Sequence, residues 1–272
     1  MRGETPWLVV LIFPALIVFA AFFALPMARL VAVGAGGPAG VAAYAAIVQE
    51  PRYLRAVLST VVLAATVTAA TLLIAGVAGV FLQRNRFPGR SVLVAMLTFP
   101  LAFPGVVVGF MVIMLAGRQG LIGDVTRLLT GTKLVFAYSM AGLFLGYLYF
   151  SIPRVILTIM AAAEKLDPRL EEAARSLGAS PWRVVRDVIV PGLTPAILSA
   201  GAICFATSMG AFGTAFTLAT EIEVLPMTIY TEFTLRANFA TAAALSVVLG
   251  LITWLALGLA RTAAGSSAAA AA

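Results

Sequence analysis

Histidine does not occur in this 272-residue chain, and cysteine occurs once, as Cys204. Without His there is no His-ligated zinc site and no Ser-His-Asp or Cys-His catalytic arrangement. A single Cys excludes a disulfide within the chain, and Cys204, set in an apolar stretch, reads as a small buried hydrophobe. Charge is scarce as well: 11% of residues are Asp, Glu, Lys or Arg, against about 25% in soluble domains. Apolar residues stand in their place, at 62% of the chain with a mean hydropathy of +1.06. A soluble globule of this length needs more polar surface than such a composition supplies. The expected fold class is all-α, a polytopic membrane bundle. The net charge of +7 does not point to nucleic acid, because its distribution follows membrane topology.

A spanning helix needs about 20 mostly apolar residues. Six segments qualify: Trp7 to Val33, Ala56 to Leu82, Val92 to Ala116, Leu134 to Met160, Leu193 to Ala219, and Ala240 to Ala260. They define one domain over residues 1–264. The first run is too long for the apolar region of a signal peptide and reads as an uncleaved span. Gly265-Ser-Ser and the alanines at 268–272 read as a linker or appended tail. Gly105 with Gly109, and Gly142 with Gly146, fit the small-xxx-small pattern that lets helices approach closely.

Orientation follows from the basic residues. With the N-terminus inside, Arg2, Arg84, Arg86, Arg90, Arg154, Lys165, Arg169, Arg175, Arg183, Arg186 and Arg261 are cytoplasmic, eleven in all. Arg29, Arg52, Arg55, Arg118, Arg127, Lys133 and Arg236 are outside, seven in all. That split favours both termini in the cytoplasm. The centres of the spans hold no Asp, Glu, Lys or Arg; Arg29, Arg154 and Arg261 lie near span ends, where long side chains reach the interface. A proton-coupled carrier ordinarily needs an intramembrane relay group. A G-x-x-x-x-G-K-[ST] phosphate loop is also lacking, so any ATP chemistry belongs to another chain.

The longest cytoplasmic segment, residues 161–191, carries the most information. Asp167-Pro168 is a cap and first-turn signal, Gly178 a stop signal, and Ser180-Pro181 starts a second short helix that Pro191 should end. Leu166, Leu170, Ala173, Ala174 and Leu177 recur at the spacing of one helix face, while Arg169, Glu171, Glu172 and Arg175 project elsewhere. Two readings stand side by side: a surface helix lying on its own bundle, with Glu171 and Arg175 as an i,i+4 pair, or a knob that enters a partner's groove.

Glu172-Ala173-Ala174, three residues, Gly178, nine residues and Val188-Ile189-Val190-Pro191 resemble the EAA loop of permease subunits of bacterial ABC importers, the MetI-like fold. Val188 and Val190 replace the usual Ile and Leu of that loop. The resemblance implies that the loop is a coupling helix seated in an ATPase subunit, with Glu172, Ala173, Ala174 and Gly178 at its centre and Leu170, Arg175 and Leu177 around them. It implies a chain that is not itself an enzyme and holds no cofactor, with ATP and Mg on a partner dimer of ATPase subunits. The other implied partners are a second permease, a paralogue rather than a copy, and an extracytoplasmic binding protein, in the bacterial inner membrane. Three further strings, Pro51-Arg-Tyr53-Leu54-Arg55, Phe99-Pro100 through Pro104-Gly105, and Gly210-Ala-Phe212-Gly213-Thr214, are similar to the subgroup serving polyamines, opines, aminophosphonates, sulfate and ferric ions.

In the fifth span Thr207, Gly210, Thr214 and Thr217 recur at helical spacing, so one face could line a polar path; such residues also serve helix contacts in lipid. Glu221, Glu223 and Glu232, near Arg236, suggest a cationic solute, polyamine-like, or else a solvated loop or docking surface. The alternatives to an importer subunit are an autonomous channel or secondary carrier, and a membrane enzyme, for which the catalytic residues are wanting.

Overall fold

A run of apolar residues in lipid must satisfy its own backbone, which a helix does within one segment. The computed structural model describes residues 5–36, 40–218 and 222–270, and helix is the only regular structure among them. The helices are α1 (Ile12–Gly36), α2 (Ala42–Gln49), α3 (Pro51–Arg84), α4 (Arg90–Ala102), α5 (Gly105–Ala116) and α6 (Leu121–Thr130). They continue as α7 (Met140–Lys165), α8 (Pro168–Ser176), α9 (Pro181–Met209), α10 (Phe212–Leu218), α11 (Leu225–Tyr230) and α12 (Phe239–Ala270). Six stretches of the described residues are long and apolar enough to cross a membrane: α1, α3, Gly105–Thr130, α7, α9 and α12 up to Gly265.

Several boundaries differ from the expected ones, among them the start of the fourth span, at Met140 rather than Leu134. The third span is not continuous over 92–116. α4 ends in a 3₁₀ turn at Phe99–Ala102, Phe103 and Pro104 are extended, and α5 starts afresh at Gly105. Pro104 disfavours helix in the residue before it and offers no N–H to the turn. The fifth span breaks between Met209 and Phe212 rather than running from 193 to 219, and Ala219, with Thr220 and Glu221, lies outside the described residues.

Another difference is at Pro191. It does not end the second short helix of the 161–191 loop; that helix is the first part of α9. A π-turn at Val185–Ile189 comes just before the proline. Widening the helix there accommodates a ring that would press on the carbonyl four residues back, and the missing N–H does not interrupt the rod. At the C-terminus, α12 is helical through Ala270 where a linker was expected; a run of alanines, the best helix formers, extends a helix already nucleated.

The chain forms two compact units, residues 1–56 with 228–251, and residues 57–227 with 252–272. In the first, a Cβ on Gly34 would sit 2.6 Å from the Tyr44 hydroxyl, which donates to the Val31 carbonyl at 3.3 Å, so glycine admits the tyrosine. The second is centred on α5, α7, α9 and α10, with Leu63 and Val67 of α3, Val112, Leu143, Tyr147, Ile156 and Leu218 in its core.

Candidate functional site: the 161–191 loop and a small-residue seam

α8 is built by its ends. The Asp167 carboxylate accepts from the Arg169 N–H at 2.9 Å, and Pro168 occupies the first turn, where its missing N–H costs nothing. At the other end Gly178 has φ +82°, a left-handed conformation. Its N–H reaches the Arg175 carbonyl at 2.9 Å and the Ala179 N–H reaches the Ala174 carbonyl at 3.0 Å, the paired bonds of a Schellman stop. Ser180 then caps α9, accepting from the Arg183 N–H at 3.5 Å. Both caps fall where the sequence put them.

The apolar face of α8 is divided. Leu166 and Ala174 pack against the core, and Glu171, expected on the polar side, is largely buried. Leu170, Glu172, Ala173, Arg175, Leu177 and Gly178 are exposed; Leu170 is 52% and Leu177 89% accessible, and Trp182 at the start of α9 is 69%. Arg175 approaches Glu171 at only 4.0 Å with most of its side chain in solvent, a weak pair. The stretch therefore presents two leucines, a tryptophan and one carboxylate around a fixed turn. Full burial of one such apolar side chain is worth about 1.5–3 kcal/mol.

The residues expected to line a path separate into two groups. Thr207 is half-buried on α9 and donates back to the Ile203 carbonyl at 2.9 Å; Gly210 is exposed at the break. Thr214 is buried on α10 and donates to the Gly105 carbonyl at 2.9 Å. Thr217 donates to Gly213 at 2.9 Å and lies 3.4 Å from the Val106 carbonyl. Because the helix stops at Met209, the 207–217 spacing does not describe one continuous face. The break is held by Tyr147, whose hydroxyl donates to the Ala211 carbonyl at 2.5 Å.

α10 closes a seam with α5 and α7 in which glycine is a steric necessity. A Cβ on Gly109 would lie 2.6 Å from Thr217 Cβ, and one on Gly146 would lie 2.7 Å from Thr214 Cγ2. A Cβ on Gly105 would stand 3.0 Å from Thr214 Oγ1. Three of the four glycines in the small-xxx-small pairs, Gly105, Gly109 and Gly146, thus meet the α10 threonines, whereas Gly142 meets only the backbone of Ala137, five residues before it in its own turn.

Sequence reasoning missed a buried ion cluster in the first unit. Glu232 is fully buried, with its Oε1 3.4 Å from Arg52 Nη1 and 3.1 Å from Arg236 Nη1. A carboxylate paired with two guanidinium groups is compensated for its burial and is withdrawn from any solute, which corrects its reading as a solvated acid at the mouth. The four-residue spacing of Glu232 and Arg236 was the available signal. Glu223 is exposed, and Glu221 lies outside the described residues. Among the described residues no group of His, Cys, Asp and Glu could hold a metal ion.

Comparison with known proteins gives a consistent result. Residues 71–263 match the family described as binding-protein-dependent transport system inner membrane component. The chain is 35% identical over 171 residues to a molybdenum transport system permease protein of Escherichia coli (strain K12), covering 61% of this chain and 74% of that one. It is 30% identical over 259 residues, 91% of each chain, to a permease protein of Salmonella typhimurium named for 2-aminoethylphosphonate transport. Among solved structures, a chain of a bacterial alginate ABC transporter in complex with a periplasmic protein superposes with TM-score 0.78 over 96% of each chain, at 16% identity. A chain of the inward-facing MetNI methionine ABC transporter gives 0.61, covering 79% of this chain and 95% of that one at 17% identity. At these identities the last two speak for the fold alone.

Proposed function

Because this chain belongs to the family of binding-protein-dependent transport system inner membrane components, and is a permease subunit of an ABC importer, we propose that α8 and the turn at Gly178 are the surface on which the ATPase acts. The observation that carries this is the exposure of Leu170, Leu177 and Trp182 around a helix capped at both ends. Exposed apolar side chains on a rigid element suit a partner's groove, and Glu172 and Arg175 at its rim set the orientation. The ATPase subunits are a dimer and carry ATP and Mg, and this chain is the non-catalytic half. A second permease, a paralogue of this one, completes the path, and a binding protein delivers solute from outside. Both termini and the 161–191 loop are cytoplasmic, as the eleven-to-seven charge split supports.

In this reading Thr207 and Gly210, at the break after α9, line the path, while Thr214 and Thr217 hold its wall through α5. The solute is small and polar. Relatives named for molybdenum and 2-aminoethylphosphonate transport, and a Glu232 carboxylate already taken up by two arginines, favour an oxyanion over a polyamine.

The test is uptake into liposomes holding the whole complex, with molybdate, sulfate, 2-aminoethylphosphonate and spermidine offered in turn. ATP-dependent uptake of one of the anions supports the proposal. Uptake by this chain without its ATPase would overturn the importer mechanism, and uptake of spermidine alone would overturn the solute class.

A further inference from the structure

α3 is a 34-residue helix ending at Arg84. In topology terms Arg84 is one of three arginines in a short loop, but its side chain does something its neighbour Arg90 does not. Arg90 turns back to its own hairpin, donating to the Leu82 carbonyl at 2.5 Å and to Gln83 Oε1 at 3.1 Å. Arg84 reaches away from it. Its Nη2 lies 2.7 Å from Glu171 Oε1 and donates to the Leu166 carbonyl at 3.2 Å.

Those two acceptors belong to different elements. Leu166 is the C-terminal cap of α7, where the helix leaves carbonyls without partners and the dipole favours a cation. Glu171 is in the first turn of α8, where the dipole favours an anion. One guanidinium therefore joins the end of α3, the end of α7 and the start of α8, complementing both helix ends. Neither side chain is a loose surface group: Arg84 is 21% and Glu171 12% accessible. An ion pair this little exposed is screened less by solvent than an exposed pair such as Glu171 with Arg175.

Chain connectivity explains what the contact adds. α8 is tied covalently to α7 through Leu166-Asp167 and to α9 through residues 177–180. To α3, more than 80 residues away in sequence, it has no covalent tie, so a movement of α8 reaches α3 only through contacts. We propose that Arg84 and Glu171 are positioning residues that clamp α8 to α3, so that displacement of α8 by the ATPase moves three membrane helices as one body rather than two. This rests on the coupling role of α8 proposed above. The pair does not belong to the exposed docking surface; it fixes that surface to the membrane-spanning part.

The test uses the complete importer in liposomes, with Arg84→Gln, Glu171→Gln and the exchange Arg84→Glu with Glu171→Arg, and Gly178→Asp in parallel. For each, complex stoichiometry, basal ATP hydrolysis and its stimulation by loaded binding protein are measured. Both single variants should assemble normally and lose about tenfold in stimulation, equivalent to about 1.4 kcal/mol of coupling. The exchange restores the ion pair but not the donation to Leu166 or the match to the two helix ends, so it should recover part of the loss, which a general loss of packing would not allow. If the single variants are stimulated like the unmodified complex while Gly178→Asp is not, the clamp is overturned and the coupling role of α8 stands. If Gly178→Asp is stimulated normally too, the coupling role itself falls. If the single variants fail to assemble and the exchange does not rescue them, Arg84 and Glu171 are structural and the proposal is equally overturned.

Discussion

Two short helices of the second unit, α8 with nine residues and α10 with seven, have been finished to different degrees. α10 is packed along its threonine face, where Thr214, Ala215 and Leu218 are buried and both threonines donate to backbone carbonyls, while Phe212 and Phe216 on its other side stay partly exposed. α8 is capped at both ends and open along its side, where Leu170 is 52% and Leu177 89% accessible. The lesson is that polar residues on a helix do not by themselves mark a working surface. The threonines of α10 are consumed by packing, and it is the leucines of α8 that stay exposed.

Overfilling the finished helix should do the most damage. Gly109→Leu places carbon where Thr217 Cβ already stands 2.6 Å from the first added atom, and such overpacking costs about 1–3 kcal/mol or more. The expected outcome is a several-fold loss of folded protein in the membrane, read by size-exclusion chromatography of detergent extracts. A variant with normal yield and normal uptake would mean the seam is slack and the contrast false.

Changing the unfinished helix should spare folding and cost transport. Gly178→Asp puts a side chain into a φ of +82°, a strain of about 1–2 kcal/mol, and Glu172→Ala removes an exposed charge from the proposed docking surface. Both should accumulate normally and lose solute-stimulated ATP hydrolysis by tenfold or more. Loss of abundance in step with loss of stimulation would put α8 in the same class as α10.

The smallest effect sharpens the comparison. Thr214→Val keeps the shape and removes the hydrogen bond to Gly105, worth about 0.5–1.5 kcal/mol. A fall of a few degrees in Tm with uptake preserved is expected. Uptake lost at unchanged Tm would return Thr214 to the solute path.

Legibility in the sequence followed the range of the interaction. The caps of α8 were readable because Asp167, Pro168 and Gly178 act on backbone groups within a few residues. Three of the four paired glycines were readable as contacts, though not what they contact. Proline was misjudged in both directions: Pro104 breaks a span expected to be whole, while Pro191 is absorbed by a π-turn where a stop was expected. A residue type states that one hydrogen bond is missing and leaves open whether the helix ends or widens. Glu171 was hidden because it takes a cation distant in sequence, Arg84, which no periodicity reports, whereas for Glu232 the spacing could signal Arg236 but not Arg52.

That π-turn bears on how far a push can travel. α9 counts 29 residues from Trp182's turn to Met209, and at about 1.5 Å per residue it is a shaft some 40 Å long. The widened turn gives the Pro191 ring room while the helix continues, although Pro195 in the same helix and Pro153 in α7 are carried without one. Residues 181–184 and 190–209 are thereby joined in one rod whose angular offset is set at 185–189. The Ser180 end and the break by Gly210 are the two ends of one continuous helix.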